Sequence, residues 1–142
     1  MNDKFMEWDK KEIWSKLSYK SGFLVQVSRH KSKYPYKGVV ENKWCVYAYI
    51  YPDHPHFKAF HGSDIFQDAA SRMPLHGGPS FLEYHERKGE VTSIQVGCDY
   101  SHLHDDIYMR HETPEEAIRV FKDADILFTW LSEMKNESEA AK

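Results

Sequence analysis

Histidine and aspartate are concentrated in residues 97–106, which read GCDYSHLHDD. Within this stretch Asp99, His102 and Asp105 are spaced three residues apart, and His104 forms a His-x-His pair with His102. Imidazole and carboxylate groups bind zinc, manganese or iron, and they also act as general acids and bases. Helical spacing would group the first three, whereas strand spacing would group the two histidines. A structural loop in which Asp99 caps a turn is the alternative interpretation.

A second polar group, His76-Gly77-Gly78, lies at a turn-like position before the next apolar run. Paired glycines can adopt positive φ or allow the backbone to approach another group closely. We expect the backbone N–H groups at Gly77 and Gly78 to approach a phosphate, and His76 and His102 to donate further hydrogen bonds to it.

The clearest strand pattern runs from Trp44 to Tyr51, with two alternating sets of side chains. One set is ordinary core, namely Trp44, Val46, Ala48 and Ile50. The other set carries the three phenol groups of Tyr47, Tyr49 and Tyr51 beside Cys45. These rings indicate either a face half covered by a helix or an aromatic surface that stacks on a planar ligand.

The remaining patterns predict three helices and four strands. Ile13, Trp14 and Leu17 have helical spacing. The capping box of residues 113–116, with proline at the first helical position, is followed by an apolar stripe at helical spacing from Ala117 to Leu131. In chain order we expect a helix over 9–19, strands over 23–28 and 44–51, a helix from about Ser63, a hairpin of strands 80–86 and 90–97, and a helix after Thr113. The predicted fold is therefore α+β, an antiparallel sheet of about four strands with helices packed on one face.

Length and composition limit the class of protein. A chain of 142 residues fits one domain over 1–142, with a frayed tail at 136–142. The net charge of −3 argues against a nucleic-acid partner, and no apolar run is long enough for a membrane span. Cys45 and Cys98 lack C-x-x-C spacing, and the charged N-terminus lacks the apolar core of a signal peptide. We therefore expect thiols rather than a disulfide, and a cytoplasmic location.

Three stretches in this order resemble a family of small uncharacterised bacteriophage and prophage proteins. They are His54-Pro55, residues 76–81 (HGGPSF) and residues 97–105 (GCDYSHLHD), within a region spanning about 44–131. The chain departs from the family where Gln95-Val96 replace a Trp-Trp pair. The resemblance implies a phage-type accessory protein acting in the host cytoplasm. It also singles out six characteristic positions: His76, Gly77, Gly78, Asp99, His102 and Asp105.

Two functions remain open. The first is a homo-oligomeric binding module that counters host defence, either by sequestering a small nucleotide-derived ligand or by blocking a host defence protein. The tyrosines would stack on a base, and the predicted ligand-binding residues are Tyr47, Tyr49, Tyr51, His76, Gly77, Gly78, Asp99, His102 and Asp105. The second is a small metal-dependent or acid–base hydrolase in which His102 is a ligand or base and Asp99 orients it.

Overall fold

The computed structural model describes residues 8–32, 42–60, 72–100 and 110–134. These ranges contain five strands and two helices. In chain order they are β1 (Trp8–Ser18), β2 (Phe23–Ser32), β3 (Asn42–Ile50), α1 (Phe57–Phe60), β4 (Phe81–Arg87), β5 (Glu90–Asp99) and α2 (Ile118–Glu133).

The five strands form one antiparallel sheet with the spatial order β1-β2-β3-β5-β4. Helix α2 packs on β2 and β3 near the middle of this sheet. The predicted α+β class, with an antiparallel sheet and a C-terminal helix against it, is confirmed. The prediction was wrong in the first element, because the described chain has the order β-β-β-α-β-β-α and a fifth strand.

The helix predicted over residues 9–19 is strand β1. It pairs with β2 along its whole length, and the register shifts between Glu12 and Trp14 at a β-bulge. A bulge adds one residue to a strand and breaks the alternation of its side chains. Ile13, Trp14 and Leu17 thereby acquire a spacing that resembles one face of a helix. The ring of Trp14 packs edge-on against Phe121 of α2, with 6.5 Å between ring centroids.

The core lies between α2 and one face of the sheet. The predicted core face of β3 is confirmed, since its four side chains are fully buried. Their neighbours in this layer are Val25 and Val27 of β2, Ile94 and Val96 of β5, and Val120, Ala124, Leu127 and Leu131 of α2. Burial of one such aliphatic side chain contributes about 1.5–3 kcal/mol. Because this layer occupies the sheet face toward α2, the opposite face of the sheet is the one available for a binding site.

Helix α2 begins later than predicted. Thr113 and Glu116 form the reciprocal bonds of a capping box: the Glu116 N–H donates to Thr113 Oγ1 at 3.2 Å, and the Thr113 N–H donates to Glu116 Oε1 at 3.2 Å. Residues 114–117 form a turn, and Ala117 has φ −93° and ψ 32°, which is not helical. The regular helix starts at Ile118, so the box closes a preceding turn. The predicted apolar stripe is nevertheless the buried face.

The predicted hairpin is confirmed as β4 and β5, and its turn at Lys88 and Gly89 has positive φ at both residues. The single-turn helix α1 occupies a stretch predicted to be a loop. The helix predicted from about Ser63 lies outside the described residues. Neither helix in the part of the chain that the structure describes is long and apolar enough to cross a membrane.

Candidate functional site

Tyr47, Tyr49 and Tyr51 belong to the sheet face opposite α2, which we call the tyrosine face. Two of its rings are packed against β4. Tyr47 meets Phe81 edge-on with 5.5 Å between ring centroids, and Tyr49 stacks on His85 at 6.0 Å. Both rings are half-buried, and their predicted stacking on a planar ligand stays a prediction.

The ring of Tyr47 lies over Gly97 of the neighbouring strand, β5. A Cβ atom on Gly97 of β5 would lie 2.3 Å from Cδ1 of the Tyr47 ring, so the ring occupies the space that a side chain would need. Burial raises the pKa of the Tyr47 phenol, and Cys45, Tyr49 and Asp99 raise it further. Tyr47 is therefore a neutral, packed group. This contact also explains a glycine inside a buried strand.

His85 is fixed on the same face by β5. Its Nε2 atom lies 2.7 Å from Oε1 of Gln95, and its backbone oxygen accepts a bond from Thr92 at 3.1 Å. The amide oxygen can only accept, so the imidazole donates from Nε2. Gln95 thus fixes the imidazole of His85, and that imidazole stacks on the Tyr49 ring.

Tyr51 differs from the other two tyrosines because it lines a cleft. This cleft, which we call the turn cleft, has a volume of about 310 Å³. It lies where the β1–β2 turn meets the chain that leaves β3, and its lining residues are Leu17, Ser18, Tyr19, Gly22, Leu24, Tyr51 and Asp53. Small-molecule sites commonly have volumes of about 300–1,000 Å³, so the turn cleft is at the small end of that range.

The turn cleft is mainly apolar and presents an aromatic ring to solvent. Tyr19 is 89% exposed and Leu17 is 39% exposed, although both are large hydrophobic side chains. Leu17 and Leu24 are direct cross-strand partners on the tyrosine face. Burial also raises the pKa of Tyr51, which keeps its phenol neutral and able to donate a hydrogen bond.

Gly22 holds the two walls of the cleft together. Its backbone has φ +69°, and its carbonyl accepts a bond from the Tyr51 N–H at 2.9 Å. A Cβ atom at this position would lie 2.8 Å from the backbone nitrogen of His54 and 3.0 Å from the carbonyl carbon of Asp53. Only glycine allows both this turn and this close approach. The β1–β2 turn is therefore docked directly on residues 53–54.

His54, which follows the tyrosine-bearing strand, has a structural role. It is 3% exposed, its Nδ1 accepts a bond from the His56 N–H at 3.1 Å, and its Nε2 lies 3.3 Å from the carbonyl oxygen of Leu131. Burial lowers the pKa of His54, so the neutral form that donates from Nε2 is favoured. The residue ties the end of α2 to the wall of the turn cleft.

His76 lies on the α2 side of the sheet. Its ring stacks on Tyr100 with 4.4 Å between centroids and 11° between planes. The Tyr100 hydroxyl donates to Oδ2 of Asp123 in α2 at 2.6 Å. Gly77 and Gly78 have φ of 70° and 81°, as their predicted turn requires. His76, which is predicted to contact a ligand, thus stacks on a tyrosine that is hydrogen-bonded to α2.

The His/Asp stretch is only partly described. Asp99 ends β5 opposite Cys45, on the tyrosine face, because its neighbour Cys98 is opposite core residue Val46. His102, His104, Asp105 and Asp106 lie outside the described residues. Their roles stay predictions, as does their meeting with His76. Trp44 makes hydrogen bonds to the described chain on both sides of 101–109. Its carbonyl oxygen accepts a bond from the Tyr100 N–H at 2.9 Å, and its Nε1 donates to the carbonyl oxygen of His111 at 3.0 Å.

The two cysteines are buried and not disulfide-bonded. Burial raises the pKa of the Cys98 thiol to about 12. A thiol with such a pKa is protonated at neutral pH and is a poor nucleophile. Within the described ranges, no group of three or more His, Cys, Asp or Glu side chains is arranged to hold a metal ion.

The sequence patterns missed the turn cleft except for Tyr51. The helix predicted over 9–19 contains both Leu17 and Tyr19, and on such a helix they would not have faced Leu24 or Asp53. The signal that could have found them is Ser21-Gly22 between two β-prone runs, since glycine there permits a hairpin turn. Comparisons with protein-family models, curated proteins and solved structures gave no match. The resemblance to phage proteins therefore stays a prediction.

Proposed function

We propose that this protein is a binding module that holds a small planar, nucleotide-like ligand in the turn cleft. The observation that carries the proposal is the cleft itself, an apolar recess at the end of the tyrosine face with a nearly fully exposed Tyr19 at its rim. An exposed aromatic ring beside an apolar recess supports stacking on a flat ligand.

The exposure of these side chains is distinctive in the described part of the chain. Its exposed large hydrophobic residues are Leu17, Tyr19, Ile118 and Ile126, and the first two belong to the cleft. A ligand inserted between Tyr19 and the Leu17–Leu24 pair would remove this apolar surface from water, which contributes about 25 cal/mol per Å².

The polar groups of the cleft favour a nucleobase over a phosphate. The Asp53 carboxylate can accept hydrogen bonds from a ring N–H or an exocyclic amino group, and the Tyr51 hydroxyl can donate to a ring nitrogen. The same carboxylate would repel a phosphate. We therefore expect the base to lie in the cleft and the phosphate to point outward, toward Lys20, the exposed residue that follows Tyr19.

The biological role that fits this chemistry is counter-defence, the hypothesis made above for a phage-type accessory protein. A protein that sequesters a nucleotide-derived signal in the host cytoplasm would counter a defence response without catalysis. A hydrolase that uses His102 and Asp105, and a blocker of a host defence protein, are the competing outcomes of the test below.

The test is a thermal-shift screen of the whole chain with cyclic mono- and dinucleotides that carry each of the four bases. A ligand at 100 times its Kd stabilises the folded state by about 2.7 kcal/mol, which raises Tm by about 8 °C for a domain of this size. Heat denaturation followed by chromatography then shows whether the bound nucleotide is recovered intact.

Tyr19→Ala should abolish the shift while the unliganded Tm stays within about 1 °C, because an exposed side chain contributes little to folding. The matched control is Ile118→Ala, which removes an exposed apolar side chain of α2, far from the cleft in the fold, and should keep the shift. Recovery of a cleaved product would favour the hydrolase. If no nucleotide raises Tm, the proposal is wrong and protein blocking becomes the leading function. If Tyr19→Ala binds as well as the wild type, the nucleotide is held outside the turn cleft and the proposed site is wrong.

A further inference from the structure

The outward face of α2 carries apolar surface that the fold of one chain does not bury. Ile118 and Ile126 are each 54% exposed. Beside Ile126 lies a hollow of about 420 Å³, and the described residues that line it are Asp125, Ile126, Thr129, Trp130 and Glu133. Its position on α2, opposite the buried stripe, separates it from the turn cleft on the tyrosine face.

The charges on α2 are arranged against the dipole of the helix. The first turn contains Arg119 and no acidic residue, and the last turn contains Glu133 and no basic residue. A helix N-terminus favours negative groups and its C-terminus favours positive groups, each by about 0.3–1 kcal/mol. The arrangement is therefore unfavourable for α2 alone and would become favourable beside an oppositely directed helix.

We propose that this face of α2 is a homodimer interface, in which α2 of two copies packs antiparallel about a two-fold axis at Ile126. Arg119 and Glu133 lie two helical turns to either side of Ile126, so each would face its opposite on the second copy. Lys122 and Trp130 lie one turn to either side. They would bring an ammonium group to the indole ring that lines the hollow.

Arg119 remains able to make this contact. Its side chain is 66% exposed, and its Nε donates to Oδ1 of Asp123 at 3.0 Å. A guanidinium has five N–H donors in a planar fork, so others stay available for the second copy's Glu133. Asp123 thereby holds the guanidinium in place, which lowers the conformational entropy lost on dimerisation.

The dimer should be weak. A helix of 16 residues is about 24 Å long, and one helix pair buries less than the ~800 Å² per partner of a standard interface. We expect dissociation in the micromolar range or weaker. The affinity should fall as salt rises, because the charge pairs lie at the exposed rim.

The first experiment is sedimentation velocity of the whole chain across a concentration series. Ile126→Glu would place two carboxylates together on the two-fold axis, so it should weaken dimerisation at least tenfold. Lys58→Glu, an exposed charge reversal in α1, should leave it unchanged. A wild-type chain that stays monomeric up to ~1 mM, or an Ile126→Glu variant that dimerises normally, would overturn the proposal.

A charge exchange tests the antiparallel register itself. Glu133→Lys and Arg119→Glu should each lose self-association, since each places like charges opposite one another twice. An equimolar mixture should regain a heterodimer, because one wild-type pair and one reversed pair then form. Circular dichroism checks that both variants fold. A mixture that remains monomeric while the wild type dimerises would show that these two residues do not face each other.

Discussion

Gly22→Ala is the sharpest test of how the turn cleft is built. Glycine at this position satisfies two separate demands, a backbone φ of +69° and a close approach to residues 53–54. Gly89, in the β4–β5 turn, has a similar φ of +82° but has no atom within 4 Å of where a Cβ would stand. The two substitutions therefore share the backbone strain and differ in the steric contact.

The expected magnitudes follow from these two contributions. Placing alanine in the left-handed region costs about 1–2 kcal/mol, and this should be the whole effect of Gly89→Ala. At Gly22 the new methyl group would also lie 2.8 Å from the His54 nitrogen, a backbone atom that cannot rotate away. Overpacking of this kind adds about 1–3 kcal/mol. We expect Gly22→Ala to destabilise the fold by about 2–5 kcal/mol in total.

Urea unfolding followed by tryptophan fluorescence would measure both variants. For an m-value of ~2 kcal/mol/M, a difference of about 2 kcal/mol separates the two midpoints by about 1 M. If the free energies of unfolding agree within about 0.5 kcal/mol, the β1–β2 turn can move away from residues 53–54 at little cost. The rigid cleft would then be refuted, together with the geometry on which the proposed binding site depends.

Two other predictions concern the groups that attach α2. Tyr100→Phe removes the hydroxyl that donates to Asp123 at 2.6 Å, and it should lower the free energy of unfolding by about 1–3 kcal/mol in the same urea assay; an unchanged value would mean that water replaces the bond. Burial lowers the pKa of His54 in the folded state, so the unfolded chain binds its proton more readily. The contribution of His54 to the free energy of unfolding should therefore be fully present above the unfolded pKa of about 6.5. It should be lost as pH falls below that value toward the lower folded pKa. His54→Gln should flatten this part of the pH profile measured by urea unfolding, and an identical profile would assign the pH dependence to other groups.

Local patterns predicted the elements whose side chains repeat without interruption. The alternation from Trp44 to Tyr51 placed β3 and its core face correctly, and the stripe from Val120 to Leu131 identified the buried side of α2. Strand β1 was misread because a bulge shifts its register between Glu12 and Trp14. A bulge is stabilised by pairing with a neighbouring strand, and that pairing leaves no mark in the local pattern.

The sequence alone determined the class of fold, the core face of the central strand and the grouping of His and Asp in residues 97–106. These properties depend on the order of apolar and polar residues along the chain, which local spacing records directly. The tertiary structure decided which chemistry-bearing residues meet. It turned Tyr47 and Tyr49 into packed rings against β4, and it placed His76 over Tyr100 on the α2 side.

Only the tertiary structure also created the turn cleft. Leu17 and Asp53 belong to segments separated by two strands, and the Gly22 contact brings them together. Such contacts between distant segments are selected by the packing of the whole sheet and its helix. A cleft made by them therefore becomes visible only when the strand order and the faces are known, whereas the residues that line it carry no common sequence motif.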